Sequence, residues 1–277
     1  MTYREAILLG ESILQKAKIV DAKNDAWLLL AMACRIDHTY YYVHIDEEMS
    51  QEQIGEYQAL LSKRAERIPL QYIVGEQEFM GLTFSVNEHV LIPRQDTEVL
   101  VEEVMKNLHD GFRILDLCTG SGCILLSLLH YSNDCSGVGA DLSEEALEVA
   151  RKNAEQLGES SALFVQGDLF APVEGKFEII VSNPPYICSD VIPTLMEEVR
   201  EHEPMQALDG GADGLDFYRK IIQGAKEHLC GGGQLFFEIG YDQGEAVQRL
   251  MEQAGYREVE CVQDFAGLDR VVFGTLW

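Results

Sequence analysis

The stretch 177-FEIIVSNPPYIC-188 combines a strand pattern with side chains that could hold a planar nitrogen group. Pro184 and Pro185 remove two backbone donors and fix two φ angles, so the strand must end in a rigid corner. The side-chain oxygen of Asn183 and the carbonyl of Pro184 could each accept one hydrogen of an NH₂ group. Tyr186 could stack on the plane of that group. A nitrogen held in this way would be aligned for in-line displacement at a carbon atom.

Acidic side chains end three strand-like segments upstream of this corner. Asp116 precedes a turn with Gly120 and Gly122, and glycines let a ligand approach the backbone N–H groups at a helix start. Asp141 and Asp168 end the next two segments. In a doubly wound sheet, ligands bind beyond the carboxyl ends of the strands. We therefore expect these three carboxylates and the Asn183 corner to share one site.

The charges of this site predict its ligand. A dinucleotide motif requires a third glycine, but Leu125 stands in that place. Carboxylates at three successive strand ends tolerate a cation and disfavour a pyrophosphate. The sulfonium S-adenosylmethionine therefore fits better than NAD. We expect Asp116 to shape the loop near its amino-acid end and Asp141 to accept hydrogen bonds from its ribose. Asp168 and Leu169 are expected at its adenine.

Strand and helix patterns alternate through most of the chain. Near-continuous apolar strands with helices between them indicate a parallel sheet covered on both faces. The last two strands have no helix between them and must pair antiparallel at the sheet edge. The pattern predicts an α/β fold with a doubly wound, mostly parallel seven-stranded sheet. The predicted strands are 113–118, 137–141, 162–168, 177–183, 234–240, 258–263 and 269–275, and the helices lie near 96–108, 123–131, 143–157, 215–229 and 242–254.

The N-terminal part of the chain has a different pattern. Apolar residues recur at helical spacing in 3–18 and 50–67, with a further helical segment at 22–36, which indicates a small all-helical domain. Short alternating apolar runs then follow over 69–93, with glycine breakers, and read as a hairpin.

Composition and charge limit the partners. The 277 residues are 47% hydrophobic, enough for a large core, and carry a net charge of −26. Residues 1–75 contribute −3 and the remainder −23, a field that repels duplex nucleic acid and favours a basic protein partner. A solubilising acidic surface would give the same charge. Seven cysteines without a CxxC pair indicate free thiols and no metal site. No membrane span or signal peptide is predicted, so we expect a cytoplasmic protein.

The corner 183-NPPY-186 following 114-ILDLCTGSGCI-124 resembles class I methyltransferases that act on planar amino or amide nitrogens. Three further stretches narrow the resemblance. They are 67-RIPLQYIVGEQEF-79, 90-VLIPRQDTEVLVE-102 and 207-ALDGGADGLDFYRKI-221. Together they resemble the HemK-like peptide chain release factor glutamine N5-methyltransferases over essentially the full length.

This resemblance implies a methyl acceptor, a cofactor and a set of site residues. The acceptor would be the side-chain amide of the glutamine in the Gly-Gly-Gln loop of class I release factors. The donor would be S-adenosylmethionine, with S-adenosylhomocysteine as product, and we expect a monomer. Asn183 and Pro184 would hold the amide, Pro185 would keep the corner rigid, and Tyr186 would pack on the amide. The cofactor residues would be Asp116, Cys118, Thr119, Gly120, Ser121, Gly122, Asp141, Asp168, Leu169 and Asn183.

The family also implies a division of the chain and draws attention to two departures. Residues 1–72 would form a helical substrate-docking domain, 73–93 a β-hairpin linker and 94–277 the methyltransferase domain. Gln95 stands where the family usually has proline, and Cys118 where glycine is common. Arg94 and Glu98 are expected to brace the domain junction.

Two other functions stay open from the residues alone. The NPPY corner also occurs in enzymes that methylate adenine N6 in nucleic acid, although the charge of −23 on residues 76–277 argues against that substrate. The other is a non-catalytic binding module that uses the sheet only as a scaffold, and tight cofactor binding with unchanged turnover in an Asn183→Ala variant would favour it.

Overall fold

The computed structural model describes all of residues 1–277 and consists of two compact units. One unit comprises Met1–Gly75 with Met196–His202, and the other comprises Glu76–Leu195 with Glu203–Trp277. The helices are α1 (Tyr3–Lys16), α2 (Ala22–Cys34), α3 (His38–His44), α4 (Gln51–Ala65), α5 (Leu70–Val74), α6 (Glu98–Asn107), α7 (Cys123–His130), α8 (Glu144–Leu157), α9 (Glu197–His202), α10 (Asp216–His228) and α11 (Gly244–Gln253). The strands are β1 (Glu76–Phe79), β2 (Leu82–Ser85), β3 (Arg113–Leu117), β4 (Ser136–Asp141), β5 (Ala162–Gln166), β6 (Phe177–Ser182), β7 (Leu229–Glu238), β8 (Arg257–Gln263) and β9 (Asp269–Leu276).

The first unit is entirely helical, as the apolar spacing predicts. Helix α1 begins at a capping box, in which Thr2 accepts from the Glu5 backbone N–H and Glu5 accepts from the Thr2 backbone N–H. The buried ring of Tyr57 on α4 packs against α1 so closely that a Cβ on Gly10 would lie 2.0 Å from its hydroxyl. That hydroxyl donates to the Ala26 carbonyl on α2 at 3.2 Å. The three helices therefore form one core.

A buried ionic cluster holds the segment Met196–His202 in this unit. Arg64 on α4 contacts Asp25 at 2.8 Å and Glu198 at 3.4 Å, while Arg67 contacts Glu198 at 2.7 Å. Glu198 and Arg64 are both buried, so each charge is neutralised by its partners. No local pattern in the sequence predicts this long-range association.

The second unit contains the predicted seven-stranded sheet, in the order β5-β4-β3-β6-β7-β9-β8. The pairs from β5 to β7 are parallel, and β9 runs antiparallel to both β7 and β8 at the edge. Successive residues of a strand enter opposite hydrophobic clusters, as Ile114 and Leu115 do. Both faces are therefore covered, and the prediction of a mostly parallel, doubly wound sheet is confirmed.

The hairpin β1–β2 belongs to the second unit. Its two-residue turn, Met80-Gly81, has positive φ at both positions, which matches a type I′ turn. Phe79 and Phe84 are fully buried in a core cluster of the sheet domain. The Glu98 carboxylate accepts from the Met80 backbone N–H at 2.7 Å and so ties α6 to the turn.

None of the helices is long and apolar enough to cross a lipid bilayer.

Candidate active site

A cavity of about 370 Å³ lies at the carboxyl ends of the central strands, entirely within the second unit. This volume is in the range of small-molecule sites. The predicted site residues that line it are Cys118, Thr119, Gly120, Ser121, Asp141, Asp168, Leu169, Asn183 and Pro185. Asp116, Gly122, Pro184 and Tyr186 lie outside the lining. The structure therefore brings together most, and not all, of the residues predicted from the sequence.

The glycines after β3 shape the floor of the cavity in two different ways. Gly120 lines the cavity with φ +54°, and a Cβ at this position would meet no atom within 4 Å. A side chain there would project into open space needed by a ligand. Gly122 has φ +78°, and its Cβ would lie 3.1 Å from Leu126 and 3.3 Å from Ala150. Its absent side chain thus lets α7 and α8 pack closely.

Asp116 supports this loop from below. It is fully buried, and its Oδ2 accepts from the Thr119 hydroxyl at 2.6 Å. Burial raises the pKa of Asp116 to about 7, although the hydrogen bond from Thr119 opposes this rise. The side chain therefore shapes the loop without lining the cavity.

Asp141 connects the loop to the next strand end. Its Oδ2 accepts from the Gly120 backbone N–H at 2.9 Å, and its Oδ1 accepts from the Ser143 backbone N–H at 3.0 Å. Burial raises the pKa of Asp141, and these backbone bonds oppose that rise. Each carboxylate oxygen retains capacity for a further donor, as a ribose diol requires. Asp168 and Leu169 line the cavity after β5, with Leu169 at φ +50°.

The two thiols of the loop are not nucleophiles. Burial is the main reason that the pKa of Cys118 rises well above its usual value and that the pKa of Cys123 rises to about 12. Both therefore stay protonated near neutral pH. Cys118 adopts φ +60°, the left-handed conformation that glycine adopts without strain.

The Asn183 corner follows directly after β6. Asn183 and Pro185 line the cavity, and the Asn183 Nδ2 donates to the Thr97 Oγ1 at 3.4 Å. Tyr186 packs its ring against a core cluster, and its hydroxyl donates to the Glu238 Oε1 at 3.4 Å. The predicted stacking of Tyr186 on the acceptor therefore stays a prediction.

The backbone of this corner is held by a neighbouring loop. A Cβ on Gly210 would lie 2.7 Å from the Tyr186 Cα, and Gln243 donates to the Tyr186 carbonyl at 3.0 Å. Burial raises the pKa of Tyr186 well above its usual value, so the hydroxyl stays a donor. These contacts keep the carbonyl-rich corner rigid, which lowers reorganisation during a reaction.

Sequence reasoning from the residues missed several parts of the cavity wall. Thr97 lines it although its side chain is almost fully buried. Arg94 also lines it and forms an ion pair with Glu203. Phe217 contributes an aromatic ring, with the Lys220 Nζ 5.4 Å from its centroid. The stretches 90–102 and 207–221, singled out only by family resemblance, contain four of these five residues.

The residues present fit S-adenosylmethionine. Asp141 and Asp168 supply carboxylates for ribose, ammonium or adenine donors, and the open space above Gly120 admits a ligand against the backbone. Leu169 and Phe217 supply apolar surface for a flat ring. The arrangement suits a cationic nucleoside ligand beside Asn183.

Comparisons with known proteins agree with this geometry. A family model described as PrmC N-terminal domain matches residues 5–75, and one described as methyltransferase small domain matches residues 94–200. A solved methyltransferase from Pyrococcus furiosus has a TM-score of 0.55 at 21% identity, over 77% of this chain and 98% of its own, and shows the fold alone.

Curated relatives match across the full length. The release factor glutamine methyltransferase of Geobacter sulfurreducens is 41% identical over 276 residues, which is 99% of this chain and 97% of that protein. The protein of the same name from Moorella thermoacetica is 43% identical over 277 residues, 98% of this chain and 97% of that protein. The chain belongs to the release factor glutamine methyltransferase family.

Proposed function

We propose that this protein transfers a methyl group from S-adenosylmethionine to the side-chain amide nitrogen of the glutamine in the Gly-Gly-Gln loop of class I release factors. The observation that carries the proposal is that Asn183 and Pro185 of the corner line a cavity that also contains the carboxylates of Asp141 and Asp168. Similarity to release factor glutamine methyltransferases over the full chain supports the same substrate.

The corner supplies what a planar amide needs in order to react. The amide nitrogen is a poor nucleophile because its lone pair is delocalised into the carbonyl. The Asn183 Oδ1 and the Pro184 carbonyl would accept its two hydrogens and so orient the nitrogen toward the cavity. Bound S-adenosylmethionine supplies a methyl group on a positively charged sulfur, which leaves as a neutral thioether. The nitrogen would gain its bond to the methyl carbon as the carbon–sulfur bond breaks, and would then release one proton to water. Until that proton leaves, the oxygen acceptors of the corner would stabilise the positive charge that develops on the nitrogen.

Asp141 and Asp168 would orient the donor, and Cys118, Thr119, Gly120 and Ser121 would form the backbone cradle beside it. Asp116 and Gly122 would act by shaping this loop. We propose S-adenosylhomocysteine as the product that leaves the cavity. Since release factors act in translation, the reaction would take place in the cytoplasm.

We also propose a division of labour along the chain. Residues 1–72 would form the helical domain that docks the release factor, and residues 73–93 would form the hairpin linker between the two domains. Residues 94–277 would form the domain that catalyses methyl transfer. The near-neutral charge of −3 on residues 1–75, against −23 on the rest, suits a basic protein that is bound by both parts.

Labelled S-adenosylmethionine and a bacterial release factor test this function directly. We expect label in the release factor and none when its loop glutamine is replaced by alanine. Asn183→Ala should lower kcat about 5- to 150-fold, because it leaves one substrate N–H unpaired. Equal labelling of the glutamine and alanine forms would refute the proposal.

Adenine N6 in nucleic acid is the competing acceptor, because its NH₂ group has the same planar shape. The charge of −23 on residues 76–277 opposes the binding of a polyanion. Retention of single-stranded or duplex nucleic acid at low ionic strength, with methyl transfer to adenine, would favour that acceptor instead.

A further inference from the structure

The turn between β8 and β9 presents an aromatic side chain almost entirely to solvent. Phe265 in this turn is 96% exposed, more than any other large apolar side chain of the chain. Burial of a phenylalanine ring normally stabilises a fold, and Phe265 contributes almost nothing in this way. Single exposed apolar side chains are common on protein surfaces, so the surroundings of Phe265 decide whether it has a partner.

The register of the sheet places this turn at the same edge as the cavity. Strands β6 and β7 are parallel, so both end at the cavity edge. Strand β9 is antiparallel to β7 and pairs Val271 with Glu238, so β9 begins where β7 ends. The turn 264–268 directly precedes β9 and therefore lies at the cavity edge. Trp277 lies at the opposite edge, because Leu276 pairs with Gly233 near the start of β7.

The distance from the Asn183 corner to the turn is shorter than the radius of a typical protein interface. In the sheet, β9 is the second strand from β6. Neighbouring strands are about 4.8 Å apart, so β9 begins roughly 10 Å from the end of β6. A standard interface covers about 800 Å² of each partner, which is a disc about 16 Å in radius. A protein that inserts a glutamine at Asn183 therefore has a footprint that reaches the turn.

Two more apolar side chains accompany Phe265 at this edge. The Ile239 backbone N–H donates to the Arg270 carbonyl at 2.9 Å, and two residues beyond this bond along either segment stand Tyr241 and Leu268. Tyr241 is 64% exposed and Leu268 44%. We call Tyr241, Phe265 and Leu268 the apolar rim. Residues 76–277 carry a charge of −23, so the rim suits an apolar patch that is flanked by basic side chains.

The turn is held in one conformation by Asp264. Its Oδ1 accepts from the backbone N–H groups of Ala266 at 2.9 Å and Leu268 at 3.0 Å. Arg270 contacts the Asp264 carboxylate at 3.1 Å and the Asp96 carboxylate at 3.3 Å. Asp96 directly precedes a residue of the cavity wall, so Arg270 joins the turn to that wall. An aromatic contact on a turn that is already ordered loses little entropy when a partner binds.

We infer that the apolar rim docks the release factor, on an apolar patch that lies beside its Gly-Gly-Gln loop and is flanked by lysine or arginine. This inference rests on the proposed function. The cavity would take only the glutamine side chain, whereas the rim would contact the folded protein around it. The rim would therefore contribute to the affinity for the release factor and leave the chemical step unchanged.

Phe265→Ser tests the rim, and its Tm should equal that of the wild type because the ring is exposed. We expect the Kd for a release factor, measured by calorimetry with S-adenosylhomocysteine present, to rise about tenfold. KM for methyl transfer should rise to a similar extent, with kcat within about twofold of the wild type. Phe265→Tyr keeps the ring and should bind within about twofold of the wild type.

Trp277→Ser is the matched control, because Trp277 is 78% exposed at the opposite edge of the sheet. Its Kd for the release factor should equal that of the wild type. Equal Kd values for Phe265→Ser and the wild type would overturn the inference, as would an equal rise in Trp277→Ser.

Two measurements without release factor exclude other roles of the rim. The Kd for S-adenosylmethionine should be the same in Phe265→Ser and the wild type, and a change would mean that the ring acts on the cavity instead. Sedimentation that shows a wild-type dimer, lost in Phe265→Ser, would show that a second copy of this chain covers the rim and would overturn the inference.

The outcomes for the inference and for the proposed function are distinct. A wild type that neither binds nor methylates a release factor would refute the proposed function, and the partner of the rim with it. A wild type that methylates the release factor, with an unchanged Kd in Phe265→Ser, would overturn the inference alone.

Discussion

The carboxyl group of Asp116 should make the stability of the sheet domain depend on pH. In the fold its pKa is raised to about 7 from 3.8, mainly by complete burial. Below pH 3.8 both the folded and the unfolded chain bind this proton, so the contribution to stability is complete. As pH rises, the unfolded chain loses the proton first. The contribution is therefore lost progressively as pH rises through about 7.

The magnitude follows from the two pKa values. At about 1.4 kcal/mol per pH unit, the rise from 3.8 to about 7 corresponds to roughly 4 kcal/mol of unfolding free energy. Asp116→Asn removes the titration and keeps an oxygen that can accept from Thr119. The unfolding free energy of the variant, relative to wild type, should therefore increase between pH 4.5 and pH 7 by about 3 kcal/mol.

Urea unfolding followed by far-UV ellipticity at several pH values measures this difference. Asp110→Asn is the control, since it replaces an exposed carboxyl and leaves Asp116 in place, so the stability of this variant should still fall between pH 4.5 and pH 7. A constant difference between Asp116→Asn and wild type across this range would refute the reasoning. It would mean that the folded protein does not favour the neutral form of Asp116.

Three further substitutions test local features. Cys118→Gly should be about 1 kcal/mol more stable to urea than Cys118→Ala, because φ +60° strains any residue with a Cβ; equal stability would contradict this. Gln95→Pro should raise the unfolding free energy by about 0.4–1 kcal/mol, since Arg94 already has φ −101° and ψ 146°, as a residue before proline requires; a lower Tm would show a clash or a lost backbone bond. Glu198→Gln should cost about 3 kcal/mol by leaving Arg64 and Arg67 incompletely paired, measured by Trp27 fluorescence in a Trp277→Phe background. Glu201→Gln on the same helix breaks only a surface pair and should change stability by less than about 1 kcal/mol, and the idea fails if the two variants are equal.

The sheet could be predicted from the sequence because its information is local. Strands β3 and β4 are short apolar runs that are each followed directly by a helical pattern, and such alternation allows few topologies. The antiparallel edge followed from the missing helix between β8 and β9. Strand β7 begins at Leu229, earlier than the predicted 234, because the glycines before Gln234 continue the strand through an irregularity in its pairing with β6.

Contacts between distant residues could not be predicted in this way. Glu198 bonds to Arg64 across 134 positions, and Asn183 bonds to Thr97 across 86. Neither pair has a periodic pattern, since the fold alone brings the partners together. The positions of Asp116 below the loop and of Tyr186 outside the cavity lining have the same origin. Strand ends indicate which residues are near a site, but packing decides which of them face the ligand.

Tandem mass spectrometry of a release factor after incubation with the protein and S-adenosylmethionine tests the central claim most directly. The proposed chemistry predicts one added methyl group on the side chain of the Gly-Gly-Gln glutamine, and a much lower yield with Asn183→Ala under the same conditions. A methyl group on any other residue, or an undiminished yield with Asn183→Ala, would contradict the claim that the Asn183-Pro184 corner holds the acceptor amide.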